Sequence, residues 1–182
     1  MYRLIPARGN ESSSRDTTAA SISIRLASAG DTDAVSDVLL EAARWLEGRG
    51  IPLWPQEEQL PNRLAHDVAT GMYVLAEMSG AAIGTARFQL EDAETWPDLP
   101  PTEATLIHRL AVRRSVAGGE VSSAMLRWAL DRTRQLGRRY LRFDCDAGRT
   151  RLKAVYERLG FRHHSDRQVG RYFVSRYELD AS

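Results

Sequence analysis

The stretch LAVRRSVAGGEVSSAML, Leu110 to Leu126, decides how the chain is read. An apolar run stops at Arg113 and Arg114, small residues and two glycines follow, and from Val121 the residues Ala124, Met125, Trp128 and Ala129 recur at helical spacing. A strand that feeds a helix through a glycine-bearing turn makes an anion cradle. The first turn of the helix leaves backbone N–H groups unpaired at the positive end of its dipole, and glycine, lacking a Cβ, lets the backbone come close. Glu120, at the helix start, speaks against a phosphate there, since it would stabilise the helix by about 0.3–1 kcal/mol without any ligand. A plain strand-to-helix connection therefore stands beside the cradle as an alternative.

Outward from this stretch the periods alternate between those of strands and helices. SISIRL alternates Ile22, Ile24 and Leu26. Asp31 is placed to cap a helix carrying Val35, Val38, Leu39, Ala42, Trp45 and Leu46, which EGRGIPLWP breaks. Leu60, Leu64 and Val68 mark a second helix, and MYVLAEM and AAIGTARFQL flank SG as a hairpin. A polar, proline-bearing loop, EDAETWPDLPPTE, leads to the strand ATLIHRLAV. After the helix from Val121 come the strand YLRFDC, a helix with Leu152, Val155, Tyr156 and Leu159 capped by Gly160, and the strands FRHH and RYFVSRYEL. The order is β, two helices, three strands, α, β, α, β, β. It implies an α/β (α+β) fold with a mixed, strongly twisted sheet of six to seven strands and helices on both faces.

Length and composition fit one domain over residues 21–182, preceded by a polar tail over 1–20 that is expected to be disordered. Hydrophobic residues make up 43% and charged residues 27%, and no apolar run approaches the roughly 20 residues that span a bilayer. Cys145 is the only cysteine, which rules out an internal disulfide and a cysteine zinc cluster and makes the cytoplasm the expected location. Net charge is +1 but unevenly spread. Leu26 to Thr105 holds 4 arginines against 14 carboxylates, a net of −10, and Leu106 to Ser182 holds 17 Lys/Arg against 8 carboxylates, a net of +9. The halves are expected to face different partners. Lys153 is the only lysine, a bias for which codon usage in a GC-rich bacterial genome is the expected reason, with a functional preference for arginine as the alternative.

The element order, with YERLGF at Tyr156–Phe161, resembles the GNAT superfamily of acetyl-CoA-dependent N-acetyltransferases over about Ile22 to Leu179. The carrying signals are LAV, which ends a central strand, and YERLGF, about 45 residues on. The resemblance implies the GNAT fold, acetyl-CoA as co-substrate and direct transfer to an amine. It implies that Leu110, Ala111 and Val112 position the thioester and that amides of Gly118, Gly119, Glu120, Val121, Ser122 and Ser123 meet the pyrophosphate. The family's loop, Q/R-x-x-G-x-G/A, aligns with Ala117 to Ser122. Here its arginine is Ala117, its first glycine Glu120 and its second Ser122, while Arg113 and Arg114 offer charge nearby. Arg149 stands where the family often has an asparagine that touches the cofactor.

Attack of an amine on a thioester expels a thiolate, which a positioned acid protonates. The resemblance assigns this role to Tyr156, and the alternative is a core tyrosine beside Leu152 and Leu159. The attacking ammonium must also lose a proton. His108, in the strand beside the expected thioester and of a residue type that commonly serves as a base, is the first candidate, with a partner-bonded core histidine as the alternative. Glu77, Glu103, Asp144 and Asp146 are further candidates. Trp45 and Trp54 flank the break between the first two helices, where the family builds its acceptor pocket. Cys145 reads as a core residue, His163 and His164 lack metal-ligand spacing so that no metal is expected, and the arginines from Arg127 to Arg151 lack the aromatic interleaving of a nucleic-acid surface.

The function expected is thus N-acetyl transfer to a small, cationic amine, without nucleic-acid or membrane partners and with a homodimer as one option for assembly. A non-catalytic GNAT-fold CoA-binding or interaction module, or a protein N-terminal acetyltransferase, is the alternative.

Overall fold

The strand and helix periods resolve into eleven elements in a computed structural model that describes residues 21–51 and 53–182. The expected tail over 1–20 lies outside the described residues. In chain order the elements are β1 (Ile22–Leu26), α1 (Thr32–Glu47), α2 (Pro61–Ala69), β2 (Tyr73–Met78), β3 (Ala81–Gln89), β4 (Ala104–Val112), α3 (Val121–Gln135), β5 (Tyr140–Asp146), α4 (Thr150–Arg158), β6 (Arg162–Val169) and β7 (Tyr172–Asp180). One seven-stranded sheet runs β1-β2-β3-β4-β5-β7-β6, antiparallel throughout except between β4 and β5. Seven strands is the upper of the two numbers expected. Among the described residues no helix is long and apolar enough to cross a membrane.

Alternation along the strands sorts the core into two layers. Tyr73, Leu75 and Ala111 face Val35, Val38, Leu39, Leu64 and Val68 of α1 and α2. Val74, Ala76, Ile107 and Leu141 face Val121, Met125 and Ala129 of α3 on the opposite side, which also carries Tyr156 of α4. Ser79 and Gly80 both have positive φ, 52° and 78°, as a two-residue hairpin turn that matches strand twist requires. Asp31 stands at the start of α1 but does not cap it. Its carboxylate accepts from the N–H and Oγ–H of Ser28 and from Arg25 instead, closing the turn before the helix.

Two irregularities position the site. In β4 the register against β3 slips between Thr85↔Ala111 and Arg87↔His108, and Arg109 takes a left-handed φ of 48°, so the strand bulges there. The parallel pairing of β4 with β5 covers only Ala104↔Tyr140, Thr105↔Leu141 and Leu106↔Arg142. Past those residues the two strands part.

Gly84 on β3 permits the close seating of α3. A Cβ there would meet Met125 Sδ at 3.0 Å, the Ala111 carbonyl oxygen at 3.2 Å and Val121 Cγ1 at 3.2 Å. Overpacking of this kind costs about 1–3 kcal/mol, so Gly84→Ala is expected to lower Tm by roughly 2–10 °C. Gly30→Ala, whose Cβ would meet nothing within 4 Å, is expected to stay within about 0.5 kcal/mol of the parent. Thermal melts of the two variants decide the point, and equal losses would mean that α3 does not depend on Gly84.

Candidate active site

Where β4 and β5 part, a cleft of about 800 Å³ opens. His108, Leu110, Ala111 and Val112 line it from β4, Phe143, Asp144 and Cys145 from β5, Tyr156 from α4, and Trp45 and Trp54 from the α1 side, with Arg114 and Arg149 also in its lining. The cleft therefore brings together most of the residues singled out from sequence. Gly118 to Ser123 lie outside its lining. That segment makes the turn into α3, with Gly118 at φ 83° as a backbone that only glycine adopts freely, and with Glu120 exposed at the N-cap and making no side-chain cap. The N–H groups of Val121, Ser122 and Ser123 belong to the first turn of α3 and lack the preceding carbonyls that a helix interior supplies.

The two arginines before this turn are already engaged. Arg113 donates from Nη1 to Glu41 Oε2 (2.8 Å) and from Nε to the Ala82 carbonyl (2.9 Å). Arg114 gives its backbone N–H to Glu41 Oε1 (2.6 Å) and lays its guanidinium over the Trp45 ring at 4.3 Å. Glu41 of α1 thus clamps the loop after β4, and these donations hold its carboxyl below the usual range, the Arg114 N–H contributing most. Arg113 is thus already paired and lies outside the cleft lining, while Arg114 stands at the edge of the cleft.

Tyr156 stacks on Phe143 with ring centroids 4.0 Å apart and meets Phe161 edge-on at 5.6 Å. Burial among these rings pushes its hydroxyl up to about 12. Cys145 lines the same cleft, and burial, followed by the Asp144 charge, pushes its thiol up to about 11. It is therefore a weak nucleophile at neutral pH.

His108 sits between two carboxylates, Nδ1 3.1 Å from Asp144 Oδ1 and Nε2 3.4 Å from Asp92 Oδ2. Neither approach is aligned as a hydrogen bond, and His108 Nε2 and Asp144 Oδ1 are buried without a partner among the described residues. The three side chains offer one donor atom each within 4.8 Å of one another, which suits a cation, whether an ammonium or a metal ion. Of the other candidate bases, Glu77 pairs with Arg25 and Glu103 with Arg142, while Asp146 Oδ1 accepts from the Gly148 N–H. His163, weighed for metal binding, pairs with Asp166 instead.

Asp92 belongs to the loop between β3 and β4, and its orientation is fixed locally. Oδ1 accepts the N–H groups of Glu94 (3.1 Å) and Thr95 (3.0 Å), which leaves Oδ2 for His108. The loop is fastened to the sheet. Trp96 has the guanidiniums of Arg142 and Arg176 at 5.1 and 4.8 Å from its ring, and Arg176 grips Asp98 through Nη1 (2.6 Å) and Nη2 (3.0 Å). Neither Asp92 nor Glu41 was singled out from sequence. The run Asp92-Ala-Glu-Thr has the form of an Asx turn, a signal for the turn but not for its neighbour, and Glu41 carries no sequence signal of its role.

The family model described as Acetyltransferase (GNAT) family matches residues 39–161, from the middle of α1 through the end of α4, and so contains most of the cleft lining. The chain belongs to the GNAT acetyltransferase family. It is an acyl-CoA-dependent N-acyltransferase. An uncharacterized N-acetyltransferase of Bacillus subtilis (strain 168), YesJ, is 26% identical over 139 residues, 72% of this chain and 76% of that protein. A GNAT acetyltransferase of Listeria monocytogenes 4b F2365 superposes with a TM-score of 0.69 at 23% identity, covering 87% of this chain and 95% of the other. The PaiA N-acetyltransferase of Thermoplasma acidophilum, solved with coenzyme A, superposes with a TM-score of 0.67 at 17% identity, covering 86% and 98%. These likenesses establish the GNAT fold for this chain.

The clasp on the β3–β4 loop gives the GNAT domain a pH signature. Hydrogen bonds from Arg176 hold Asp98 at about 2, below its unfolded value of 3.8. A depressed carboxyl stabilises the fold above its unfolded pKa, and this contribution is lost as pH falls through about 2. Because Asp98 is 45% exposed, water screens the pair and its contribution is of the order of a surface ion pair, roughly 0.2–1 kcal/mol. Asp98→Asn is therefore expected to lower Tm by about 1–3 °C at pH 7 and to narrow its gap to the parent toward pH 2.5. Melts that stay parallel from pH 7 to 2.5 would show that this carboxylate contributes no linkage.

Proposed function

We propose that the chain transfers the acetyl group of acetyl-CoA directly to the primary amine of a small, cationic acceptor. The observation that carries this reading is the placement of Tyr156 and His108 in one cleft between the parting ends of β4 and β5. The complexes of two fold neighbours, PaiA with coenzyme A and YncA of Salmonella typhimurium with acetyl-CoA, support acetyl-CoA as the donor.

Along the open side of β4, Leu110 and Val112 offer unpaired backbone groups to the thioester and its pantetheine arm, while Ala111 between them turns its own to Thr85 of β3. The N–H groups at the start of α3, with Arg114 and Arg149, meet the phosphates. The acceptor enters on the side of Trp45, Trp54 and Asp92. His108 first takes one proton from the ammonium and passes it to solvent. The freed nitrogen attacks the thioester carbonyl carbon, a C–N bond forms, the C–S bond breaks, the second proton leaves nitrogen for His108, and Tyr156 gives its proton to the departing sulfur. In water a phenol is a weaker acid than a thiol by about 1.5 pKa units. Burial raises both groups here, Tyr156 to about 12 and the neighbouring Cys145 thiol to about 11. A thiolate leaving in the same surroundings is likewise made more basic, so burial does not by itself widen the gap between the acid and the leaving group. Asp144 beside Nδ1 steadies the His108 ring as it becomes charged. The carboxylates Glu91, Asp92, Glu94 and Asp144 in the cleft lining favour a cationic amine.

Tyr156→Phe is expected to lower kcat by roughly 10²–10⁴ with little change in acetyl-CoA affinity. An unchanged kcat, measured where chemistry limits the rate, would remove Tyr156 from the acid role. Calorimetry is expected to show micromolar acetyl-CoA binding, and no binding at millimolar concentration would reject the enzyme reading altogether.

Glu120 tests the phosphate site separately. At roughly 6–8 Å from a pyrophosphate its charge would weaken binding by about fivefold in a water-like dielectric. Glu120→Gly is then expected to tighten acetyl-CoA binding a few-fold, with the gain fading as salt rises. Affinity that does not move at any ionic strength would place the pyrophosphate elsewhere.

A further inference from the structure

A second cavity, of about 210 Å³, lies under the loop between β3 and β4 and shares Glu91, Asp92 and Ala93 with the lining of the cleft. Its floor includes Leu106 of β4 and Arg142 of β5. Leu106 precedes His108 by two residues on one strand, and Arg142 precedes Asp144 by two on the other. Residues two apart share a face and lie about 7 Å from each other, so the cavity continues along the sheet from the His108–Asp144 pair, with Asp92 between the two spaces.

The chemistry of the walls is specific. Leu99, Pro100, Ala104 and Leu106 make an apolar surround. Arg142 is 3% exposed and pairs with both Glu103 (2.8 Å) and Glu178 (3.2 Å), so its charge is already met and does not call for an anion. Trp96 is 5% exposed and lines the cavity, yet its indole Nε1 is buried with no partner among the described residues. Buried indole N–H groups normally find an acceptor. A cavity of about 150 Å³ is enough for one benzene ring, so this one has room for a ring and two or three further atoms.

We propose that this cavity is the far half of the acceptor site. It takes a neutral, apolar arm, such as an aromatic ring bearing one oxygen acceptor for Trp96 Nε1, of a primary amine whose nitrogen lies among His108, Asp92 and Asp144. The inference rests on the acetyl-transfer reading and narrows its acceptor from cationic amines at large to monoamines with an apolar arm. A polyamine would place a second ammonium beside Arg142 and the apolar wall, since of the two carboxylates in that lining Asp92 is shared with the first nitrogen and Glu91 stands where the cavity borders the cleft.

The test compares propylamine, phenethylamine, 4-methoxyphenethylamine and spermidine as acceptors with acetyl-CoA. Burying the ring is expected to raise kcat/KM of phenethylamine over propylamine by about thirtyfold, and the methoxy oxygen to add about fivefold. Trp96→Phe is expected to abolish the methoxy preference, and Leu99→Trp, which fills the cavity from the loop, to bring the phenethylamine-to-propylamine ratio close to one. Both readouts are ratios within one variant, so a general loss of activity does not imitate them. Calorimetric binding of 4-methoxyphenethylamine to the CoA-bound protein, parent against Trp96→Phe, reads the same preference without turnover.

If no amine is acetylated while this binding preference is present, the catalytic reading fails and the arm site stands. Acetylation with equal kcat/KM for propylamine and phenethylamine, or a preference for spermidine, overturns the arm site and leaves catalysis in place. Stoichiometric binding of zinc alone that Asp92→Asn abolishes would also overturn it, by giving the cluster to a metal.

Discussion

The brevity of one strand pairing governs the rest of the molecule. β4 and β5 share three register pairs and then diverge. Each remains laddered on its outer side, β4 to β3 as far as Val112 and β5 to β7 from Tyr140 to Asp146. The inner edges of the two strands therefore expose backbone N–H and C=O groups that the sheet itself does not satisfy. Such groups, held rigidly in the middle of a sheet, recruit a ligand that can run alongside a strand. The bulge at Arg109 adds to the divergence by turning the strand just where His108 and Leu110 must face the opening.

Charge follows the same geometry. The acidic half of the sequence supplies the β3–β4 loop and α1, and the basic half supplies Arg149 and Arg114, the latter lying over Trp45 of α1. The separation is not absolute, because Glu41 crosses it to hold Arg113 and the Arg114 N–H. One acid is thus spent on tying the acceptor-side helix to the loop that precedes α3.

The order of elements was legible because apolar residues alternate or recur along nearly every segment, as in Ile22, Ile24 and Leu26 or Val121, Met125 and Ala129. Tyr156 stood out from its motif YERLGF and His108 from its place in the strand before LAV, and both line the one cleft. What stayed hidden depends on contacts between distant segments. Asp92 reaches His108 only because Trp96, Arg142 and Arg176 press its loop onto the sheet, and no local pattern encodes that. Arg113 reads as a phosphate ligand from its neighbours in sequence, while its partner Glu41 lies 72 residues away. Asp31 sits at a capping position, yet the nearby Arg25 and Ser28 draw its carboxylate elsewhere.

The clasp on the β3–β4 loop has a bearing on how such a protein can diversify. Arg138 reaches the carbonyls of Leu90, Pro101 and Ala104, and Arg142 and Arg176 hold Trp96 and Asp98, so the loop is gripped at its ends and middle by three arginines. None of the three stands on β4, α3 or α4, which carry the residues assigned to the acetyl donor. The loop behaves as a cassette with its own fastenings. Its interior, from Glu91 to Pro100, can be rewritten to suit another acceptor while Trp96, Asp98 and the arginines keep it docked, and the half of the molecule that handles the donor is left untouched.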